Sequence, residues 1–338
     1  MRKTKSNFTT IVITILLSGS FLFSLSGCGR SSRSKPQATP TRVQSLRPQA
    51  ETIITEALTD NDPSIRTKAI EVIAETKQIH LMPKVVKYLN DPVVPVRFSA
   101  ALAVGDTEYL LAKKDVAALL KDRDESVRIA AAYALYKLSD KSQIELIQKA
   151  IKQRDLTVRA NATLLLGKCG DKRFIGLLYW AMNDRYSDYK VSLQAAQAAA
   201  KLKHEKIYPK LWTMLISSYA DDRVMGIRGM GALGTPEAKI AITTMLDDDI
   251  LEVRLVAAEQ LGKLNDNLGE QEVISVFEQN LTANMDEESR QRTNVLAALA
   301  IGQIKSKKLI KFLPKLINDP DKQVRIAATK AIFLYAKQ

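Results

Sequence analysis

Over residues 51–338, apolar and polar positions recur in a way that paired helices explain. Stretches such as Leu309-Ile310-Lys311-Phe312-Leu313-Pro314-Lys315-Leu316-Ile317 carry apolar residues in helical register. A short Asn/Asp/Pro turn follows each of them, and then an Ala-rich stretch, of which Arg128-Ile129-Ala130-Ala131-Ala132-Tyr133-Ala134-Leu135 is typical. The turns contain helix-start signals. Asp62 can accept from the first free N–H groups while Pro63 supplies a preset φ, and Asp124 and Asp155 can cap likewise. Gly105, Gly167 and Gly262 stand eight residues after their arginines and are expected at helix C-termini.

The pattern has a period. A basic residue follows its neighbour at Arg66, Arg97, Arg128, Arg159 and Lys190, each 31 residues after the last. The series continues at looser intervals with Arg228, Arg254, Arg292 and Arg325. Six residues before the basic residue stands Asp60, Asp91, Asp122, Asp184, Asp222, Asp248, Asp286 or Asp319; Arg159 instead has Gln153 there and Asp155 two positions on. Three residues after it comes a small or apolar residue: Ala69, Ala100, Ala131, Ala162, Leu193, Gly231, Ala257, Val295 or Ala328. Self-similarity at this spacing means an array of about nine helix pairs that bury their faces on one another.

The turn Asp and second-helix Arg, six apart, resemble HEAT repeats over nearly all of residues 51–338. The short period is similar to that of the HEAT-like repeats named after phycobilisome lyases. The resemblance implies an all-α, right-handed α-solenoid in which Asp and Arg form a hydrogen-bonded ladder between units. A family proline in the first helix is mostly missing, Pro83 being the clear match. Because an acid accompanies nearly every base, the ladder is expected to hold the repeats together rather than line a groove for an anionic partner.

The first residues read as an address. Arg2, Lys3 and Lys5 precede the apolar run Ile11 to Phe23, too short to span a bilayer as a helix, and Leu25-Ser26-Gly27-Cys28 follows. In that order the parts resemble a bacterial lipoprotein precursor with its lipobox. The resemblance implies a signal peptide over 1–27, cleavage before Cys28 and a diacylglycerol thioether on its thiol, with a further acyl chain (palmitate) on the new amine. Several chains on one residue supply a lasting membrane anchor. Gly29 at the next position implies the outer membrane, facing the periplasm, if the cell has one. Residues 28–50 carry the lipidated Cys and a Ser-, Pro- and Arg-rich stretch expected to be a flexible, disordered linker, with the repeat solenoid over 51–338.

Charge and composition narrow the function. The net charge is +13, but eight of those positive charges lie in residues 1–50, which hold no acid, leaving +5 for the rest. No dense basic patch remains, so nucleic acid is not an expected partner. Two cysteines and two distant histidines (His80 and His204) offer no metal site, and no cofactor is expected. The sequence carries no nucleophile elbow, phosphate loop or HExxH string, so it reads as a non-enzyme. The expectation is a non-catalytic, membrane-anchored scaffold of the bacterial cell envelope that binds a protein partner. Two alternatives stay open: a lyase-like enzyme or chromophore-attachment factor, and a structural component binding peptidoglycan or lipid.

One compositional anomaly suggests where a partner would bind. Eight of the twenty aromatics fall between Phe174 and Tyr219, where the spacing also loosens. Alignment on Asp184 places Trp180 where other units have mostly polar residues, which marks Tyr179, Trp180 and Tyr186 as candidate partner-binding residues. Alignment on Asp222 places Trp212 with Leu309 and predicts that it is core.

Overall fold

The computed structural model describes residues 42–335. The segment expected to be a signal peptide, Leu25, Ser26, Gly27, Cys28, Gly29 and the expected linker as far as residue 41 lie outside the described residues. Among the described residues, eighteen α-helices form nine consecutive pairs. The first are α1 (Arg42–Leu58) with α2 (Pro63–Glu75), α3 (Met82–Val86) with α4 (Val94–Thr107), and α5 (Lys113–Ala118) with α6 (Glu125–Lys137). Next come α7 (Ile144–Ala150) with α8 (Leu156–Cys169), α9 (Ile175–Asn183) with α10 (Tyr189–Lys201), and α11 (Tyr208–Leu215) with α12 (Ala220–Leu233). The last are α13 (Pro236–Thr244) with α14 (Leu251–Lys263), α15 (Glu270–Glu278) with α16 (Glu287–Ile304), and α17 (Leu313–Ile317) with α18 (Lys322–Tyr335). The helix starts follow the sequence signals: Asp62 accepts from the Ser64 N–H, Asp124 from Val127, and Asp155 from Thr157 and Val158.

Each even-numbered helix packs on the next, and α18 packs on both α1 and α2. The array therefore closes on itself as a ring, with the even helices inside. The all-α solenoid of about nine helix pairs expected from the repeats is present, with its first and last pairs in contact. Closure is tied by Lys322 Nζ to Asp60 Oδ2 at 2.7 Å, Lys330 Nζ to Glu75 Oε2 at 2.6 Å, and Gln49 Nε2 donating to Asn318 Oδ1 at 2.8 Å.

The glycines explain the tight inner circle. Gly105, Gly167 and Gly262 lie inside α4, α8 and α14, not at their C-caps, because each helix continues past them. A Cβ on Gly105 would stand 2.9 Å from the Ala134 Cα, and one on Gly167 2.8 Å from the Ala198 Cα. On Gly262 it would stand 2.6 Å from the Ile304 N. These residues are where neighbouring inner helices nearly touch backbone to backbone. The actual left-handed residues after the even helices are Lys77, Glu108, Ser139, Gly170, Lys203, Gly234, Asn265 and Lys305. Only two of those eight are glycine, so the capping signal is weak in the sequence.

The boundary at residue 50 also moves. Residues 42–50, expected to belong to the linker, are the first half of α1. Polar composition and Pro48, which costs the helix one N–H, disguise it. Its apolar stripe of Val43, Leu46, Ala50, Ile54 and Leu58 has helical spacing and joins the core, which outweighs the lost bond. None of the helices among the described residues is long and apolar enough to cross a membrane.

Candidate functional site

The turn acids and arginines do three linked things. Each acid first closes its own turn: Asp60, Asp91, Asp122, Asp184, Asp248 and Asp319 each accept from the backbone N–H two residues on. Except at Asp184, its backbone carbonyl then accepts from the arginine six residues later, as Asp91 O does from Arg97 Nη1 at 2.8 Å. Its carboxylate accepts from the arginine of the preceding pair: Arg66 holds Asp91, Arg97 holds Asp122, and Arg159 holds Asp184. The Arg97 contacts to Asp122 are a bidentate fork at 2.9 and 3.0 Å, with both side chains about nine-tenths covered. Burial opposes the charge of Asp122, but the Arg97 bonds and the Asp124 N–H outweigh it and hold the carboxyl below its ordinary pKa.

Two rungs stand in a different register from the one the sequence suggests. Arg223, not Arg228, reaches Asp248 at 2.7 Å, and its turn position is Ser217 rather than Asp222. The Ser217 hydroxyl accepts from the Tyr219 N–H as the acids do in other turns, while Asp222 is buried in α12. Arg228 is exposed and makes no hydrogen bond or ion pair among the described residues. In α16 the ladder position belongs to Asn294, whose amide donates to Asp319 at 3.3 Å. Arg292 instead pairs with Glu288 on the surface, and Asp286 caps α16. Arg254 turns to Glu272, and Lys190 makes no hydrogen bond or ion pair among the described residues. Gln153 holds the ladder position in the next turn, so Arg128 makes no rung and keeps the carbonyls of Asp122 and Arg123 and an ion pair with Glu125. Arg325 bonds the carbonyls of Asp319 and Pro320, and Lys322 supplies the rung to Asp60 across the seam.

The aromatic residues sort differently. Trp180 is 37% exposed, with the Arg159 guanidinium 5.3 Å over its ring, and Tyr186 is 62% exposed. Tyr179 is half-buried edge-on against His204, 5.4 Å between centroids. Trp212 is not core but half-exposed on the outer face of α11, stacked on Tyr208. With Ser217 as the turn position, Ile207 takes the place equivalent to Leu309, and both are buried. Tyr189 and Tyr219 flank a surface groove of ≈ 670 Å³ that also includes Leu193 and Met225. Cys169 packs in the core, where burial pushes its thiol up to about 12 and leaves it unreactive.

Sequence reasoning missed the lumen of the ring. A crevice of ≈ 230 Å³ is walled by Phe98, Leu102 and Leu164 and edged by Glu71, Glu75, Asp106, Lys168 and Lys201. A second, of ≈ 150 Å³, shares Glu71 and Glu75 and continues along Lys68, Val295, Leu299 and Lys330. Most of these charges are spoken for: Lys168 pairs with Asp106 at 2.8 Å, Tyr133 donates to the same carboxylate, and Lys330 holds Glu75. Glu71 and Lys201 have no hydrogen bond or ion pair among the described residues. Both side chains are solvent-exposed on the crevice. Desolvation there, aided by Lys168 and Lys263, lowers Lys201 to about 8. Desolvation and the neighbouring Glu75 raise Glu71 above the ordinary carboxyl value. An acid and an amine on one crevice can exchange protons with a bound molecule. No signal in the sequence could find it, because its members come from α2, α4, α8, α10 and α14 with no shared motif. No group of three or more His, Cys, Asp or Glu among the described residues is placed to hold a metal.

Residues 50–135 match the family model described as HEAT repeats, and residues 127–153 the model described as PBS lyase HEAT-like repeat. The fold is a HEAT-like repeat fold, and of the curated proteins none matches the chain. Among solved structures it is similar to the complex of CpcE and CpcF of phycocyanin lyase from Nostoc sp. PCC7120. That match has 19% identity and a TM-score of 0.44, covering 81% of this chain and 99% of that one. Human deoxyhypusine hydroxylase matches at 17% identity and TM-score 0.39, over 79% and 99% of the two chains. Kap121p matches at 13% identity and TM-score 0.36, over 86% of this chain and 38% of that one. These likenesses speak for the architecture alone. Two of the three are named as enzymes, whereas the expectation from the sequence was a scaffold with no chemistry and a non-enzyme. Lack of a linear catalytic motif is no ground for that expectation, since the lumen gathers ionisable groups from distant helices.

Proposed function

We propose that the protein is a lyase-like enzyme or attachment factor: a ring that receives a protein client on its aromatic surface and performs proton-transfer chemistry on a small molecule in its lumen. The observation that carries this reading is the unpaired Glu71 and Lys201 on one crevice whose wall is Phe98, Leu102 and Leu164. An apolar wall with a few converging polar groups is how small-molecule sites are built. The chemistry is addition or elimination, in which one group removes a proton beside an electron-withdrawing centre and the other delivers one. Trp180 and Tyr186, with Tyr189 and Tyr219 along their groove, are the surface for the client.

The test uses the mature chain and a panel of small amphipathic keto acids, with exchange of the ligand's α-proton followed by NMR in deuterated water. Bound ligands should exchange on the order of a hundredfold faster than free ones, and Glu71→Gln or Lys201→Met should remove the acceleration. Ligands that bind saturably and never exchange would overturn it.

The ring is proposed to be held at the cell envelope by acyl chains on Cys28, facing the periplasm from an outer membrane where one exists. Cys28→Ala should move the chain from the membrane fraction to the soluble one. Persistence in the membrane would count against the anchor.

A further inference from the structure

Lys201 closes the inner end of α10 and faces the lumen beside Lys168 of α8 and Lys263 of α14. Across from it stand Glu71 and Glu75 of α2 and Asp106 of α4. The carboxylates of Asp106 and Glu75 are engaged by Lys168, Tyr133 and Lys330, so neither fixes the Lys201 ammonium. What remains is an amine with two like charges for neighbours, no counter-ion of its own and an apolar wall within the same crevice. Neighbouring cations favour the neutral, nucleophilic form of an amine.

From this geometry we infer that Lys201 is a covalent carbonyl-binding residue, forming an imine with an aldehyde or ketone that carries an apolar body and an anionic group. The apolar body lies along Phe98, Leu102 and Leu164, and Lys168 and Lys263 attract the anion. The Lys201 nitrogen adds to the carbonyl carbon to give a carbinolamine. The C–O bond then breaks, the oxygen leaves as water with two protons, and a C=N bond forms without any change of oxidation state. Glu71, held protonated more readily than an ordinary carboxyl, supplies a proton to the departing hydroxyl and recovers one from nitrogen. The inference rests on the proposed lumen chemistry and names its substrate class: an imine is the electron sink that makes the neighbouring C–H acidic.

The probe is 4-carboxybenzaldehyde with cyanoborohydride, which fixes any imine as a secondary amine. At pH 7 a lysine lowered to about 8 is roughly one-tenth neutral, against less than a thousandth for an ordinary one. Peptide mass spectrometry should therefore find Lys201 labelled at least about tenfold faster than any other lysine. Lys201→Arg, which keeps the charge, should lose that label, and Glu71→Gln should slow it. Label spread evenly over the surface lysines, or placed on Lys168 or Lys263 with Lys201 untouched, overturns the inference. If Lys201 stays unlabelled while α-proton exchange persists, the imine is wrong and the proton-transfer reading stands. If Lys201 is labelled and no ligand exchanges, the amine is reactive and the proton-transfer reading falls.

Discussion

Arg97→Ala should cost the ring about 3–5 kcal/mol, read as a melting temperature lower by roughly 5–10 °C. The guanidinium satisfies four acceptors at once: both Asp122 carboxylate oxygens and the carbonyls of Asp91 and Pro92. Removing it strands a buried carboxylate between two pairs and leaves two turn carbonyls short of a donor. A stranded buried charge costs more than the pair itself contributes, so the loss exceeds that expected of a surface ion pair. Arg128→Ala is the internal control. Arg128 keeps the turn carbonyls and a partly exposed ion pair with Glu125 and reaches no acid of the next pair, so its removal should cost about 1 kcal/mol. Equal losses from the two variants, measured side by side by thermal unfolding, would show that the cross-pair fork contributes nothing of its own.

The same contrast explains which parts of the ladder are legible in the sequence. Arg66, Arg97 and Arg159 are readable because a carboxylate and a guanidinium meet at a constant spacing of 25 residues between neighbouring pairs. Ser217 and Asn294 hold the same positions with different chemistry: a hydroxyl can close the turn, and an amide can reach Asp319. An alignment that insists on Asp and Arg therefore slides to Asp222 with Arg228 and to Asp286 with Arg292. The slip carries Trp212 into a core position that Ile207 actually fills. Helix pairing survives such errors because it rests on apolar periodicity. The helix α1 is hidden for a different reason, its polar face and Pro48 resembling a linker until the α18 surface that it covers is in view.

Closure and lumen are not legible by either route. Whether nine pairs curve into a ring depends on small differences in approach between inner and outer helices, accumulated over the whole array. No local pattern encodes that sum. Once the ring closes, α2 lies across the opening from α8 and α10, so Glu71 and Lys201 share a crevice although 130 positions separate them. The candidate chemistry is thus a product of curvature, and curvature is a product of small residues on the inner helices.

Gly167→Val tests that dependence. Its Cβ would fall 2.7 Å from the Ala198 Cβ and 2.8 Å from the Ala198 Cα, so the obstacle is backbone and a short side chain with no rotamer to yield. The two inner helices α8 and α10 must then separate. In an open solenoid the separation would relax by a small change of angle at a free end. In a ring it must be absorbed by the other contacts or by the seam, where α18 meets α1 and α2. The variant should lose about 3 kcal/mol or more, at the upper end of the usual overpacking range, with the loss appearing early as hydrogen exchange at α1. Gly176→Ala, in open space near the start of α9, should be neutral or gain up to about 1 kcal/mol. A Gly167→Val protein with unaltered melting and a fully protected α1 would mean that inner-helix contact does not set the curvature. The lumen would then owe its shape to the outer helices instead.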